Sequence, residues 1–85
     1  MSYFYVLENQ DGQLYHGSTN DLKRRLKEHV TGKSFATKGS NWKLIYYEAY
    51  ASEIDAAARE QRIKSFGQAY SQLKKRISHS RRLPS

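Results

Sequence analysis

The stretch that decides the fold is YFYVLENQDGQLYHGS, residues 3–18. It begins with a run of aromatic and β-branched residues, and a Gln10-Asp11-Gly12 turn signal leads into a second run, Leu14–Gly17. We therefore predict a β-hairpin of two paired strands, with Tyr5 on the first strand and Tyr15 on the second. Tyrosine is a good strand former, so the seven tyrosines of this chain can also simply pack a sheet.

A first helix and a third strand are predicted after the hairpin. The helix is capped by Asn20 and stops at Gly32. Its apolar residues recur at helical spacing: Leu22, Leu26 and Val30. Residues 31–41 show no periodicity and predict a mobile loop. The large residues of Trp42–Tyr50 predict the third strand.

Two more helices complete the predicted elements. Ser52 with Asp55 three positions later matches a capping box for the second helix, which we expect to end at Gly67. A shorter basic helix is predicted over residues 69–77, followed by a basic flexible tail at 79–85. The order β-β-α-β-α-α predicts an α/β protein of the α+β type, with a small three-stranded antiparallel sheet flanked by helices.

Length and composition limit the class of protein. A chain of 85 residues holds one core, so we predict a single domain over residues 1–78. The absence of cysteine excludes a disulfide framework and a thiolate zinc site. No apolar run is long enough to cross a membrane, and we expect a soluble cytoplasmic protein with no membrane association.

The formal net charge of +7 is unevenly distributed. Residues 1–60 hold eight basic and eight acidic residues, whereas the last 25 residues contain no acid. The basic residues of that last part are Arg62, Lys64, Lys74, Lys75, Arg76, Arg81 and Arg82. This distribution predicts a polyanionic partner. A solvated tail that serves only solubility has the same charge pattern, and charge alone does not choose between them.

Helical geometry selects three polar residues. Successive residues rotate by about 100°, which places Arg25 and His29 beside the apolar stripe of the first helix and turns Arg24 toward solvent. A histidine at a helix end is also an ordinary C-terminal cap or dipole partner. Glu60 falls in a small-residue apolar arc of the second helix, where a carboxylate is costly unless it is paired or metal-bound. A salt bridge from Glu60 to Arg25 or Arg62 would also explain it.

Taken together, these residues resemble the GIY-YIG nuclease superfamily, and specifically its small stand-alone bacterial members. The resemblance covers roughly residues 3–66. Tyr3-Phe4-Tyr5 stands at the first motif and Tyr15-His16-Gly17 at the second. STNDLKRRLKEH, residues 18–29, is similar to the family's helix, and ATKGSNWKLIYYEAYASEIDAAAREQRIKSF, residues 36–66, resembles the segment that delivers the family's glutamate.

The resemblance implies a metal-dependent endonuclease that acts on DNA, in repair or recombination, with structure-directed or nonspecific cleavage. The catalytic residues that it implies are Tyr5, Tyr15, Arg25, His29 and Glu60. Glu60 would be the protein ligand of a single Mg²⁺ or Mn²⁺, and Arg25 would face the scissile phosphate. One of the two tyrosines would orient or deprotonate the water, and which one is open. His29 would assist proton transfer or touch a phosphate.

The expected partner is nucleic acid, with DNA favoured over RNA, and a protein partner is also considered. The residues expected to contact nucleic acid are Gly17, Ser18, Lys64, Lys74, Lys75 and Arg76. Trp42 and Tyr70 would serve as stacking surfaces or as core. Three positions depart from the family pattern: Tyr3 replaces a glycine, His16 an aliphatic residue, and Ser18 a lysine that several relatives carry. Ser18 favours one alternative, a noncatalytic nucleic-acid-binding module on the same scaffold. A second alternative, which the resemblance implies because small family members sometimes act this way, is a subunit activated by a partner protein.

Overall fold

The computed structural model describes residues 1–30 and 41–80. Its elements are β1 (Ser2–Glu8), β2 (Leu14–Thr19), α1 (Leu22–Val30), β3 (Lys43–Tyr50), α2 (Glu53–Ser65) and α3 (Gly67–Arg76). The strands form one antiparallel sheet in the order β2-β1-β3, with β1 in the centre. The predicted fold class and element order are therefore confirmed.

The predicted turn between β1 and β2 is held by the side chain of Asn9. Its Oδ1 accepts hydrogen bonds from the backbone N–H groups of Asp11 and Gln13, at 3.0 and 2.9 Å. Gly12 has a φ of 79°, a left-handed conformation that glycine adopts without steric cost. The resulting register places Tyr5 opposite Gly17.

The two faces of the sheet have different coverings, because successive side chains of a strand point to opposite faces. Phe4 and Val6 of β1 face α2 and α3 and enter the main apolar core. The other buried members of that core are Ile45, Ile63, Leu73 and Ile77. Tyr5 faces the opposite side, where it meets His29 of α1.

The start of α1 differs by one residue from the prediction. Oδ1 of Asp21 accepts a hydrogen bond from the backbone N–H of Arg24 at 3.1 Å, so Asp21 is the N-terminal cap. Asn20 is exposed and does not fill this role. The reason lies just before the helix, where the Thr19 hydroxyl accepts a hydrogen bond from the backbone N–H of Asp21.

The start of α2 agrees with the prediction, and its end does not. The Ser52 side chain accepts a hydrogen bond from the backbone N–H of Ile54 at 3.2 Å and caps the helix. Gly67 does not end α2; it is the first residue of α3. The break lies at Phe66, whose extended backbone (φ −122°, ψ 108°) follows α2 and precedes α3.

An ion pair ties α2 to β3. The Arg59 guanidinium donates to both carboxylate oxygens of Glu48, at 3.0 and 3.2 Å. The hydroxyls of Tyr46 and Tyr50 donate to the same carboxylate.

Two predicted segments fall largely outside the described residues. In the predicted loop at 31–41, residues 31–40 are not described. In the predicted tail at 79–85, residues 81–85 are not described. Across the two ranges that are described, no helix is both long and apolar enough to cross a bilayer.

Candidate active site

A buried hydrogen bond joins the first motif to α1. The Tyr5 hydroxyl lies 3.0 Å from Nε2 of His29, and both residues are only 1% exposed. Burial raises the pKa of Tyr5, whereas burial and the nearby positive charge of Arg25 lower the pKa of His29. Tyr5 is therefore protonated and His29 neutral near pH 7, and the phenol donates to Nε2 in the imidazole tautomer that carries its proton on Nδ1.

Tyr15 extends this pair into an aromatic cluster. Its ring centroid lies 5.1 Å from that of His29 and 6.4 Å from that of Tyr5. Trp42 packs edge-on against Tyr15 at 6.3 Å. Trp42 thus belongs to the cluster, while Tyr15 keeps part of its side chain exposed to solvent.

Gly17 lies directly against the Tyr5 phenol. A methyl group added to Gly17 would lie 2.6 Å from Cζ of Tyr5 and closer still to its hydroxyl oxygen. Tyr5 therefore requires a glycine at this point of β2. The contact with Tyr5 accounts for Gly17 without a ligand, and the predicted approach of a phosphate to its backbone stays a prediction.

Both carboxylate oxygens of Glu60 have protein partners. Oε1 accepts a hydrogen bond from the Ser18 hydroxyl at 2.7 Å, and Oε2 pairs with the Lys64 ammonium at 2.5 Å. The alternative explanation, a salt bridge from Glu60 to Arg25 or Arg62, is wrong, because the ion-pair partner of Glu60 is Lys64. Lys64 is preferred because it lies one helical turn after Glu60, within reach of its side chain.

The two arginines have other neighbours. Arg25 pairs with Glu28 on its own helix at 3.3 Å, and the Arg62 guanidinium lies over the ring of Phe66. Nε of Arg25 is buried and has no hydrogen-bond partner among the described residues. The side chain of Arg25 is nevertheless 42% exposed, so part of its guanidinium is open to a ligand.

Arg25, Ser18 and Glu60 come together at the end of β2. Arg25 and Ser18 line one groove, and Ser18 holds Glu60 by its hydroxyl. The charges of Arg25 and Glu60 both reach Tyr5, where Arg25 lowers the pKa of the phenol and Glu60 adds to the increase caused by burial. Because β2 is an edge strand, groups from the two faces of the sheet can meet around it. The predicted catalytic residues thus occupy one region of the molecule.

His16 is a residue near this site for which the sequence suggested no role. Its ring stacks on Phe4 and meets Tyr70 edge-on, at centroid distances of 6.3 and 5.1 Å. Its Nε2 is buried without a hydrogen-bond partner among the described residues. Burial, and then the positive charge of Lys64, lower the pKa of His16. Strand alternation was the available signal, since it places His16 and Ser18 on the same face.

The other residues predicted to contact nucleic acid lie either at the candidate active site or in α3. Lys64 lies at Glu60, whereas Lys74, Lys75 and Arg76 form the last turn of α3. Lys74 is held over the ring of Tyr70, 4.4 Å from its centroid, so Tyr70 is not a free stacking surface. In residues 1–30 and 41–80, no three His, Asp or Glu side chains form a group that could hold a metal ion.

Known proteins are similar to this chain in sequence, and a solved structure is similar to it in fold. A UPF0213 protein of Bacillus pumilus is 41% identical over 66 residues, which cover 75% of this chain and 67% of that protein. A UPF0213 protein of Streptococcus agalactiae is 46% identical over 61 residues, 69% of either chain. The solution NMR structure of a UPF0213 protein from Bacillus halodurans matches 91% of this chain and 87% of that one, with 29% identity and a TM-score of 0.55.

The family comparison covers all the residues of the candidate site. The model of the GIY-YIG catalytic domain matches residues 1–75, a range that includes both tyrosine motifs, α1 and the Glu60 helix. The relatives at 41% and 46% identity cover most of the same range. The chain therefore belongs to the GIY-YIG nuclease superfamily and is similar to its small stand-alone UPF0213 proteins.

Proposed function

We propose that this protein is a metal-dependent nuclease that hydrolyses phosphodiester bonds in DNA, with a role in repair or recombination. The observation that carries the proposal is the gathering of the Tyr5–His29 pair, Arg25 and Glu60 around the end of β2. Phosphodiester hydrolysis needs a water that loses a proton and a positive group that stabilises the phosphoryl oxygens. These residues can supply both.

The Tyr5–His29 hydrogen bond provides a route for the proton. A phenol whose pKa is raised by burial is a poor base on its own. With His29 protonated on Nδ1, Tyr5 can take a proton from water while it passes its own to Nε2 of His29, which lies within hydrogen-bond distance of the phenol. His29 is then the final proton acceptor, and Tyr5 positions the water.

Arg25 is suited to the phosphate. Its guanidinium is permanently charged and offers several N–H donors in a planar fork. Within residues 1–30 and 41–80 its ion-pair partner is Glu28, so the guanidinium retains donors for two phosphoryl oxygens. Stabilisation of the charge that develops there is commonly the largest contribution to this kind of catalysis.

Glu60 fits the ligand chemistry of Mg²⁺ or Mn²⁺. Each of its oxygens accepts one protein hydrogen bond and keeps a lone pair, and hard cations prefer such carboxylate oxygens. When bound, the ion would supply Lewis-acid stabilisation of a phosphate oxygen. Ser18 would orient Glu60 toward it.

The decisive experiment measures nicking of supercoiled plasmid in Mn²⁺ and in Mg²⁺. We expect Glu60→Ala and Arg25→Ala to lower the rate by about 100-fold or more, as loss of a charge-stabilising group does in other enzymes. Asp55→Asn is the matched control, because it removes an exposed carboxylate from the same helix. Equal nicking by all four proteins would indicate a contaminating nuclease and contradict the proposal. Single-stranded, branched and ribose-containing substrates would test the preference for DNA.

A noncatalytic nucleic-acid-binding module is the second candidate. The observation in its favour is the Lys64–Glu60 ion pair, which neutralises the carboxylate without a metal. Under this alternative, wild-type protein binds DNA but shows no metal-dependent nicking, and Glu60→Ala changes neither property. Nicking that starts only when a partner protein is added would instead indicate an activated subunit.

A further inference from the structure

A polar groove extends from the candidate active site between α1 and α2. It has a volume of about 240 Å³ and is bordered by the end of β2, the first turns of α1 and the first turns of α2. Ser18 and Arg25, both part of the candidate active site, belong to its lining, and Arg24 and Asn20 contribute further polar side chains. The groove is therefore continuous with the place where the scissile phosphate would lie.

We propose that this groove binds the nucleic-acid backbone phosphate next to the scissile one, and that Arg24 is its principal ligand. The inference rests on the proposed function, since it takes the substrate to be a nucleic-acid strand. Helical geometry alone assigned Arg24 to the solvent side, and it is indeed exposed. Because Arg24 lies in the groove beside Arg25, its exposed charge is placed to bind the neighbouring backbone phosphate.

The charges and donors of the groove suit a phosphodiester. Arg24 and Arg25 place two guanidinium groups in one lining, and such groups bind phosphate oxygens with charge-assisted hydrogen bonds. The Ser18 and Thr19 hydroxyls and the Asn20 amide add the neutral polar groups that commonly hold nucleic-acid backbone. The volume suits one sugar-phosphate segment, so the proposed contact is to the backbone and carries no base specificity.

Glu53 gives the groove an opposing charge. Its carboxylate lies on the α2 wall, in the first turn of the helix, where the helix dipole favours it. A bound phosphate would be repelled by Glu53 and attracted by Arg24. Single substitutions of these two residues should therefore change the affinity in opposite directions.

The experiment measures binding of a short fluorescein-labelled DNA strand by anisotropy, in EDTA so that no cleavage occurs. Arg24→Ala should weaken binding about tenfold and reduce the salt slope by about 0.7 to 0.9, the loss of one phosphate contact. Glu53→Gln should strengthen binding about twofold. The matched controls are Lys23→Ala on α1 and Asp55→Asn on α2, which make the same charge changes at positions that do not line the groove. Both should stay close to wild type.

A neutral phosphate analogue identifies the contact directly. Single methylphosphonate linkages are placed in turn along the strand, and the linkage bound in the groove should weaken wild-type binding as much as Arg24→Ala does. Combined with Arg24→Ala, that linkage should cause no further loss. Full additivity at every linkage would overturn the proposal.

Two other results would also overturn the groove assignment, and they have different consequences for the proposed function. Equal weakening by Arg24→Ala and Lys23→Ala in a protein that binds and cleaves DNA would show a general charge effect, and the proposed function would stand. If wild-type protein binds no nucleic acid at all, both the groove assignment and the proposed function fail.

Discussion

The hydroxyl of Tyr5 and Nε2 of His29 lie 3.0 Å apart, although 24 positions separate the two residues in the chain. This contact joins the central strand to α1 and buries two titratable groups together. Because burial disfavours the charged form of each group, the folded protein holds a neutral phenol against a neutral imidazole. The pair can therefore accept a proton without first losing one.

The first prediction concerns stability at low pH. The pKa of His29 is lowered by folding, so the unfolded chain binds a proton more readily than the folded protein. The contribution of His29 is complete above about pH 6.5 and is lost as the pH falls from there toward the lower folded pKa. The difference between the free energies of unfolding in urea at about pH 8 and about pH 5 should be smaller for His29→Gln than for wild type. An unchanged difference would contradict the prediction, and His79→Gln, at an exposed position, is the control.

The second prediction tests the contact between Gly17 and Tyr5. Gly17→Ala should destabilise the protein by about 1–3 kcal/mol, because the new methyl group overlaps the phenol ring. Tyr5→Phe should not relieve this cost, since Cζ of the ring is itself too close. Tyr5→Leu removes the ring end, so Gly17→Ala should cost less in that background. Urea unfolding of the four proteins in a double-mutant cycle measures the coupling, and purely additive effects would rule the contact out.

The third prediction concerns the Glu48–Arg59 clamp. Arg59→Met should cost about 2–4 kcal/mol, because it leaves a mostly buried carboxylate without its counter-charge. Burial alone would raise the pKa of Glu48, but hydrogen bonds from Tyr50, Tyr46 and Arg59 hold it below its usual value. That stabilisation is present above about pH 4.5 and is lost as the pH falls through the lower folded pKa.

Arg62→Met is the matched control for the clamp, since Arg62 is exposed on the same helix and lies over Phe66. It should change the free energy of unfolding by less than about 0.5 kcal/mol. Equal effects of the two substitutions in urea unfolding would show that the clamp contributes nothing specific.

The fourth prediction concerns His16. Its buried Nε2 has no hydrogen-bond partner among the described residues, and an unsatisfied buried polar atom costs about 1–3 kcal/mol. His16→Leu should therefore raise the free energy of unfolding by about 1 kcal/mol, with the packing against Phe4 and Tyr70 largely kept. A loss of stability, measured by urea unfolding near neutral pH, would mean that the imidazole makes a favourable contact.

Much of the architecture follows from local sequence signals. The Gln10-Asp11-Gly12 turn, the aromatic runs and the Ser52 cap are short-range features, and the structure has the hairpin and the helix start that they predict. The exact residues at which the helices begin and end were less predictable. Asp21 rather than Asn20 caps α1, because the hydrogen bond that the Asp21 N–H donates to the preceding Thr19 hydroxyl decides between two residues with similar capping ability.

The sequence by itself determined which residues could carry the chemistry. The two tyrosine motifs, Arg25, His29 and Glu60 were identified from spacing, helical geometry and resemblance, and all of these depend on distance along the chain. The element order was determined in the same way, since each element is a local choice of the backbone.

Only the tertiary structure decided which side chains are partners. The sequence offered Arg25 or Arg62 for Glu60. The fold provided Ser18 of β2, whereas Lys64, one helical turn after Glu60, is a partner set by spacing within α2. The Glu48–Arg59 clamp and the groove beside Arg24 likewise join side chains from different elements. The physical reason is that such contacts depend on how strands and helices are placed in space, and side-chain reach over a few ångströms is not encoded by spacing along the chain.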